Sequence, residues 1–347
     1  MPGKHVLGWD IGGAHLKVAA ADANGKVVRV LCLPCPLWQG LDHLDRSIAI
    51  ALEQMPAAAR HAVTMTGELS DIFRNRAHGV KAIIERLVMH VPAPVTGVYV
   101  PDADFLSPQH AARKSALVAS ANWAASAELV VRLVREGLFV DIGSTTTDVV
   151  AFREGRLCIR GLNDADRLAS EELVYTGVVR TPIMALTRRI PFDGQRIGAM
   201  AEYFATTADV YRLTGQLPKG ADLLAAADKR SKSVRDSARR IARMIGRDLE
   251  SASMAQWRQC ARELAEMQLM QILKACKTQC SRAHLPAGTQ IIGAGTGRFL
   301  AKKLAKRLGM RYRDFDSLIN VAPAAASRAS DCAPAVAVAL LAHRSSK

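Results

Sequence analysis

The chain has 347 residues, which is too long for one ordinary domain and suits two of roughly 150 residues each. Its seven cysteines exclude the dense disulfide framework of short secreted domains. The net charge of +15 raises nucleic-acid binding as a candidate, but the basic residues are spread along the chain and aromatic residues make up only 5%. Because no nucleic-acid motif accompanies the charge, we expect no nucleic-acid partner.

The apolar segments do not predict a membrane protein. Gly8 and Asp10 interrupt the N-terminal apolar stretch, so it does not match a signal peptide. Polar residues break the run at 116–134, and the run at 335–342 is far shorter than the ~20 residues that span a bilayer. We therefore expect a cytoplasmic protein that does not associate with membranes.

The first half of the chain opens with strands. Apolar patterning predicts strands at 6–13, 16–22 and 27–33, and the last two are joined by a hairpin turn at Asn24-Gly25. The elements predicted next, in order, are a helix at 41–55, a strand at 61–66, a helix at 83–90, a strand at 97–100 and a long helix at 108–135. This order favours a mixed sheet covered by helices.

The pattern then restarts, which predicts an internal duplication. Strands are predicted at 138–142, 148–153 and 157–160, with a glycine turn after the first and a hairpin at Glu154-Gly155 before the third. The elements predicted beyond them are a mostly helical region at 181–277, a strand at 289–292, a helix at 298–308 and a closing helix at 333–343.

Three glycine-rich turns follow strands, at Asp10–Lys17, Asp141–Asp148 and Ile292–Gly297. Glycine lets backbone amides approach phosphate oxygens closely, and an aspartate at a strand end can hold a hydrated divalent cation. The third turn precedes a helix, whose N-terminus attracts anions. The chain contains no G-x-x-x-x-G-K-[ST] motif, and the third turn does not match the dinucleotide fingerprint.

Together these turns resemble the phosphate-1, phosphate-2 and adenosine motifs of the actin/sugar-kinase superfamily. The resemblance covers essentially the whole chain and implies an α/β fold of two ribonuclease-H-like, actin-like domains with mixed sheets around a central cleft. We expect residues 1–136 to form the first domain and residues 137–332 the second, with a helical insertion at about 181–280. A C-terminal helix at about 333–347 is expected to pack back on the first domain.

Three further segments resemble a narrower family, the hydantoinase/oxoprolinase-like proteins of tetrahydromethanopterin-linked one-carbon metabolism. They are TGELSD at 66–71, YTGVVRTP at 175–182 and FATTADVY at 204–211. This resemblance implies a transferase of methanofuran-type cofactor biosynthesis, which joins an aminomethyl-furan-methanol diphosphate to the phenol of tyramine or γ-glutamyl-tyramine and releases diphosphate. An ATP-dependent small-molecule kinase or an oxoprolinase-type amidohydrolase is the alternative, and a non-enzymatic scaffold is a third.

The implied chemistry selects candidate site residues, because a departing diphosphate needs its charge neutralised. The candidates for metal binding are Asp10 and Asp141, and those for catalysis are Asp141, Asp148 and Asp209. The candidates for phosphate or diphosphate binding are Gly12, Gly13, Lys17, Gly143, Ser144, Thr145, Thr146, Arg180, Thr206, Thr207, Gly293, Gly295 and Gly297. The candidates for the substrate cleft are Thr66, Gly67, Glu68 and Asp71. Mg²⁺ is the candidate cofactor, ATP is not required for this reaction, and the partner is a small phosphorylated molecule.

Several of these residues have an equally good structural interpretation. Lys17 can be a solvated strand lysine, Glu68 and Asp71 can cap a helix, and Asp148 can be a turn carboxylate. The basic stretch Lys229–Arg247 is either a solvated helix face or a cationic wall for an anionic substrate. His15, inside the first glycine turn, has no assigned role.

Overall fold

The computed structural model describes residues 4–101 and 105–345. The strands are β1 His5–Ile11, β2 His15–Ala21, β3 Val27–Pro34, β4 Ala58–Met65, β5 Thr96–Tyr99, β6 Phe105–Leu106, β7 Gly137–Ile142, β8 Thr147–Arg153, β9 Arg156–Leu157, β10 Leu173–Val174, β11 Arg189–Phe192, β12 Gln195–Gly198, β13 Gln290–Ala294 and β14 Arg311–Asp314. The helices are α1 Asp42–Gln54, α2 Arg76–His90, α3 Pro108–Arg113, α4 Ser115–Val118, α5 Asn122–Leu133, α6 Asp164–Ala169, α7 Ile183–Leu186, α8 Thr207–Leu213, α9 Val234–Arg243, α10 Met254–Arg282, α11 Arg298–Leu308, α12 Ala326–Asp331 and α13 Ala333–Arg344.

Two sheets with the same internal plan organise the chain. The first has the order β3-β2-β1-β4-β5-β6, and the second has the order β10-β8-β7-β13-β14, with β9 paired to β8. In each sheet the first strand is antiparallel to the next strand in the chain and parallel to a later one, β4 or β13. The predicted duplication is therefore confirmed, and β7 begins at Gly137, where the second domain was predicted to start.

Helices α5 and α13 lie between the sheets and bury the inner face of each. Helix α13 packs against β1, β2, β4 and α5, and α5 also touches β7 and β8. At Gly8 in β1 a Cβ atom would come within 2.0 Å of the carbonyl oxygen of Ala335, so only glycine permits this approach. Helix α13 thus contacts the first sheet, on which the C-terminal helix was predicted to pack.

The predicted long helix at 108–135 is wrong, because the chain breaks twice within it. Helix α4 ends at Val118, and Ser120 adopts a left-handed conformation with φ of 53° before α5 begins at Asn122. The Ser120 side chain is tied to Glu68 and Arg76, which holds the backbone in this turn.

The helical region predicted at 181–277 is also interrupted. Strands β11 and β12 form a hairpin whose turn is Asp193-Gly194, with positive φ at both residues, and such a pair is a hairpin signal. The strand predicted at 157–160 is reduced to the two residues of β9.

Among the described residues, no single helix combines the length and apolarity needed to cross a membrane. The bent pair Pro323–Asp331 and Ala333–Arg344 meets that criterion only jointly, and residues 333–342 of its second helix are buried between the sheets.

Candidate active site

A cavity of about 370 Å³ opens between the two sheets, at the carboxyl ends of β1, β4 and β7. Its lining residues are Asp10, Gly12, Gly13, Ala14, His15, Lys17, Trp38, Thr66, Leu69, Ser70, Asp71, Ser120, Asn122, Trp123, Gly143, Ser144, Thr145, Thr146, Asp148, Asp164, Arg167, Leu173, Tyr175 and Arg180. The first two glycine turns therefore face each other across one space. Each is closed by the same bond, from the Gly12 amide to the His15 carbonyl (3.0 Å) and from the Gly143 amide to the Thr146 carbonyl (2.8 Å).

The first turn carries an ion pair across neighbouring strands. Asp10 lies opposite Lys17 in the β1–β2 register, and Lys17 Nζ donates to Asp10 Oδ2 at 3.2 Å. Asn122 Nδ2 donates to the other oxygen of Asp10 at 3.4 Å. Burial alone lowers the pKa of Lys17, but the neighbouring carboxylates, Asp10 foremost, raise it, and the net direction is upward. Lys17 is thus a charged cleft residue, which excludes the solvated-lysine interpretation.

The second turn places two carboxylates opposite each other. Asp141 pairs with Asp148 in the β7–β8 register. The pKa of Asp141 is raised to about 7, chiefly by burial, with Asp148 and Asp10 adding to the rise and Lys17 opposing it. Because about half of such a carboxyl is ionised at neutral pH, Asp141 can exchange a proton under ordinary conditions.

Asp148 is held by a buried arginine. Arg167 is 1% exposed, donates to Asp148 Oδ1 at 2.8 Å and stacks over the ring of Trp123 at 3.9 Å. Burial raises the pKa of Asp148, and Arg167 opposes that shift. One oxygen of Asp148 is therefore fixed by Arg167 while the side chain lines the cavity.

The segment that follows β10 braces the second turn. A Cβ on Gly177 would lie 2.4 Å from the backbone of Ser144 and Thr145, so the two loops touch directly. Arg180 N donates to the Ser144 carbonyl at 2.8 Å, and Thr207 Oγ1 donates to the Gly177 carbonyl at 2.8 Å. The prediction of Thr207 as a phosphate donor is wrong, because this fully buried hydroxyl is already bonded to the backbone.

Arg180 presents its side chain to the cleft. Its guanidinium lies 4.6 Å from the centre of the Trp38 ring, and no ion pair with it occurs in the described part of the chain. Burial lowers the pKa of Arg180, with Tyr203 and Tyr175 opposing the shift, yet an arginine stays protonated in a protein. A partly buried guanidinium without a carboxylate partner is a suitable anion-binding group.

Asp209 is not free to act as a base. Its Oδ1 accepts from Arg240 Nη2 at 2.7 Å and from Arg212 Nη1 at 3.3 Å, and its Oδ2 accepts from the backbone amide of Thr206 at 3.1 Å. Thr206 caps α8 with its own side chain, in a reciprocal capping box with Asp209. The structure gives both residues a role in anchoring the helix, although both also line a second, smaller cavity.

The third glycine turn is packed against the second sheet. The Gly297 amide donates to the Ile142 carbonyl at 2.7 Å, and the Gly295 amide donates to the Ser330 carbonyl at 2.8 Å. A Cβ on Gly293 would lie 2.5 Å from the hydroxyl of Tyr312. None of these three glycines lines either cavity, so the structure does not bring the predicted phosphate-binding residues of the third turn to the cleft. These three glycines allow the turn to pack closely against its neighbours.

Glu68 belongs to a polar network that joins the two domains. It is fully buried, and Ser120 Oγ lies 2.8 Å from Glu68 Oε1 and 3.0 Å from Asp164 Oδ2, while Arg76 bonds to all three. Burial raises the pKa of Glu68, while Ser120 and Arg76 oppose that shift.

The other predicted cleft residues occupy the same edge. Thr66 and Asp71 line the cavity, whereas Gly67 is buried beneath Leu37, where a Cβ would approach to 2.8 Å.

The carboxylates at the cleft suit a hydrated Mg²⁺ better than a fully liganded metal. Within residues 4–101 and 105–345, no group of three or more His, Cys, Asp and Glu side chains is arranged around a metal position. Mg²⁺ commonly keeps several waters and uses one or two carboxylates together with a substrate phosphate. Asp10 lines the cavity and fits that requirement, whereas Asp141, whose pKa burial and neighbouring carboxylates raise, lies behind the second turn and does not line the cavity.

The basic stretch does not form a wall of the cleft. Arg235 pairs with Glu250, Arg239 with Asp236, and Arg247 lies over the ring of Phe192, and none of them lines either cavity. The solvated-face interpretation is therefore the correct one. Arg240, the neighbour of Arg239 on α9, is the arginine of this stretch that is buried and bonds to Asp209.

Sequence patterns did not reveal several residues of the cleft. Arg167 and Asn122 carry no motif, and only the fold brings them to the aspartates. Trp38 lies in the connection between β3 and α1, just after Pro36. A tryptophan in a loop is a weak indication of a binding residue.

A family model and two curated relatives place the chain in the same family. The hydantoinase/oxoprolinase family model matches residues 60–344. A (4-{4-[2-(gamma-L-glutamylamino)ethyl]phenoxymethyl}furan-2-yl)methanamine synthase of Methanocaldococcus jannaschii is 29% identical over 246 residues, which cover 71% of this chain and 72% of the relative. A synthase of the same name from Methanococcus vannielii is 31% identical over 116 residues, 33% of this chain and 52% of the relative.

Among solved structures, nucleotide-free acetone carboxylase, from work on ATP-dependent acetone carboxylation, is similar with a TM-score of 0.59. The identity is 11%, and the match covers 96% of this chain and 70% of that one. At this identity the likeness concerns the fold alone, and with the sheet topology it confirms the predicted fold class.

Proposed function

Because the chain belongs to the hydantoinase/oxoprolinase family, and its curated relatives are named as synthases of a phenoxymethyl-furan, we propose that it is a transferase of methanofuran-type cofactor biosynthesis. It joins an aminomethyl-furan-methanol diphosphate to the phenol of tyramine or γ-glutamyl-tyramine. The observation that carries the proposal is the similarity to the Methanocaldococcus synthase over 246 residues, which spans most of both chains.

The reaction is a substitution at the furan-bound CH₂ carbon. The phenol oxygen forms a bond to that carbon, the bond from carbon to the diphosphate oxygen breaks, and diphosphate leaves with the electron pair. The furan ring stabilises positive charge on the carbon, so the protein has to bind the departing anion and orient the phenol. Lys17 and Arg180, both on the cavity wall, are the cations we assign to the diphosphate.

The phenol proton needs an acceptor late in the step, because a phenol has a pKa near 10. We assign this role to Asp148 or Asp141. Asp148 lines the cavity, and the pKa of Asp141, raised by burial to about 7, suits proton exchange near neutrality. Asp10 and Asp141 would hold Mg²⁺, whose chemistry is to neutralise charge on the diphosphate.

The geometry of the third glycine turn supports a reaction that does not use ATP. The amides of Gly295 and Gly297 are bonded to Ser330 and Ile142, which leaves them no hydrogen for a nucleotide phosphate. We therefore propose that the partner is a small diphosphorylated molecule. Because its relatives are biosynthetic enzymes, we also propose that the protein works in the cytoplasm.

The test incubates the purified protein and Mg²⁺ with the furan-methanol diphosphate and either tyramine or γ-glutamyl-tyramine, without ATP. Diphosphate release and the ether product are followed together by mass spectrometry. Equal amounts of both support the transferase. ATP hydrolysis that depends on a small-molecule substrate, with no ether formed, would favour the kinase or amidohydrolase instead.

Arg180→Ala tests the anion clamp directly. We expect kcat/KM for the diphosphate donor to fall about 100-fold, because a preorganised cation at a departing charge contributes on that scale. Arg188→Ala is the matched control, since Arg188 is exposed and outside both cavities. Equal activity of the two variants would remove Arg180 from the mechanism.

A further inference from the structure

A second cavity of about 90 Å³ adjoins the large one beyond Arg180. The two share three lining residues, His15, Trp38 and Arg180, so they meet at this junction. A ligand in the small cavity would therefore reach the group that Arg180 holds in the large one.

The walls of the small cavity suit an uncharged ring. Trp38 and Tyr203 contribute aromatic faces, and the segment Leu223–Ala227 contributes apolar side chains. Apart from Arg180, which it shares with the large cavity, the charged residues that line it are paired with one another, because Arg212 bonds to Asp222 at 2.5 Å and to Asp209 at 3.3 Å. The large cavity, in contrast, has Arg180 without an ion pair in the described part of the chain.

His15 adds an unused polar atom at the junction. The side chain is 7% exposed, and its Nε2 has no hydrogen-bond partner among the described residues. A buried polar atom without a partner is costly, which indicates that a bound molecule satisfies it. The carbonyl of His15 accepts the bond from the Gly12 amide, which fixes the backbone that carries the ring.

His15 is suited to hydrogen bonding and not to taking up a proton. Burial, together with Lys17 and Arg180, lowers the pKa of His15 to about 3, so the ring is neutral at physiological pH. A neutral imidazole has one nitrogen that accepts and one that donates. It can orient a hydroxyl without competing for its proton.

We propose that the small cavity is the acceptor subsite, and that His15 positions the phenolic hydroxyl at the junction, facing the carbon that loses diphosphate. This inference rests on the proposed transferase function and adds where the second substrate binds. His15 is thereby a positioning residue, and Trp38 is shared between the acceptor ring and Arg180.

Two variants of different kinds test the subsite. His15→Phe keeps a flat ring and removes the nitrogen, and His15→Gln keeps a polar group. With saturating donor, we expect the KM for tyramine to rise about fivefold to tenfold in His15→Phe and less in His15→Gln, with kcat changed less. The KM for the furan diphosphate should stay within about twofold of wild type.

Ala226→Phe fills the cavity from its opposite wall. We expect the KM for tyramine to rise at least about tenfold, because an added ring in a cavity of this size excludes a bound one. Lys219→Phe is the matched control, since it adds the same ring to the same irregular segment at an exposed position outside both cavities. The inference is overturned if an active enzyme shows unchanged tyramine kinetics in both His15→Phe and Ala226→Phe, or if the donor KM rises instead.

Calorimetry separates this inference from the proposed function. Tyramine is titrated into the wild-type protein and into Ala226→Phe, each with Mg²⁺ and inorganic diphosphate present. If no ether is ever formed, the transferase proposal fails, yet tyramine binding that Ala226→Phe abolishes still supports the subsite. Absent binding in the wild type, or equal binding in the two proteins, overturns it.

Discussion

The two strand-turn-strand units of this protein share a backbone plan and differ in the residue that lies across the strands from the aspartate. In each unit an aspartate lies near the end of the first strand, just before the turn. Asp10 faces a lysine, Lys17, on the next strand, whereas Asp141 faces another aspartate, Asp148. The first carboxylate is therefore neutralised within its own unit. In the second unit Arg167, from α6, pairs with Asp148, while burial and the neighbouring carboxylates raise the pKa of Asp141 to about 7. A duplicated scaffold thus yields one fixed ion pair and one titratable group.

Breaking the first unit's ion pair should have the largest effect. In Lys17→Met we expect turnover to fall about 100-fold or more, because a cation at the diphosphate is lost. Unfolding free energy should also fall by about 3 kcal/mol, since Asp10, 1% exposed, loses its charged partner. Both are measurable, by steady-state kinetics and by urea denaturation.

The double variant Asp10→Asn with Lys17→Met distinguishes the two effects. Removing both charges should restore most of the stability and none of the activity. A Lys17→Met protein as stable as wild type would show that the ion pair contributes nothing to folding.

The second unit should respond to pH where the first does not. Because burial raises the pKa of Asp141 to about 7, lowering the pH below 7 protonates it, and a protonated carboxyl neither holds a cation nor accepts a proton. We expect kcat/KM to fall about tenfold per pH unit on the acid side of the profile. A rate independent of pH between 6 and 8 would contradict a required, ionised Asp141.

Asp148→Asn should shift that acid limb by a smaller amount. The amide still accepts a hydrogen bond from Arg167 but no longer repels the charge on Asp141, so the pKa of Asp141 should drop by less than about one unit. The limb of the pH–rate profile then moves to lower pH. Glu154→Gln, which removes an exposed charge from the hairpin of the same unit, should leave the limb in place.

The smallest expected difference in stability concerns the turns that follow β4 and β13, the strands parallel to the first strand of each unit. Glu68 has a pKa raised by burial, so its folded-state pKa exceeds the unfolded value and its contribution to stability is lost as pH rises through the folded value. Glu68→Gln should therefore be more stable than wild type at pH 8, by about 1 kcal/mol, and close to it at pH 5.

Thr296→Val is the matched change in the other turn. Its buried hydroxyl has no hydrogen-bond partner in the described part of the chain, so removing it should stabilise the protein equally at both pH values. Melting temperatures at pH 5 and 8 measure both variants. If Thr296→Val also raised the melting temperature more at pH 8 than at pH 5, the pH dependence seen in Glu68→Gln could not be assigned to the Glu68 carboxyl.

The sequence predicted the repeated unit well because its signals are local. Alternating apolar residues, Asn24-Gly25 and Glu154-Gly155 mark the β2–β3 and β8–β9 hairpins. The register that pairs Asp10 with Lys17 follows from the short glycine turn that joins β1 to β2. The break at Ser120 was not predictable, since its cause is a contact with Glu68, 52 residues away.

The candidate site was predictable only where a functional residue is also part of a local backbone turn. Gly12, Gly13 and Gly143 were found because each follows a predicted strand in the repeated strand-turn-strand pattern, and all three line the cavity. Thr207 and Gly295 were predicted to bind phosphate, but glycine and threonine serve packing and hydrogen bonding to the backbone equally well. Whether such a residue faces the cleft depends on tertiary contacts that no local pattern encodes.

Gly8 and helix α13 have a consequence for how this chain is made. The strand that begins the first sheet is covered by residues near 335–339, so the apolar face of that sheet stays uncovered while the ribosome synthesises the intervening 300 or so positions. The first domain therefore cannot mature ahead of the second, as an independent N-terminal domain would. Shortening the chain by its last dozen residues would leave the nascent protein dependent on chaperones from its first strand onward.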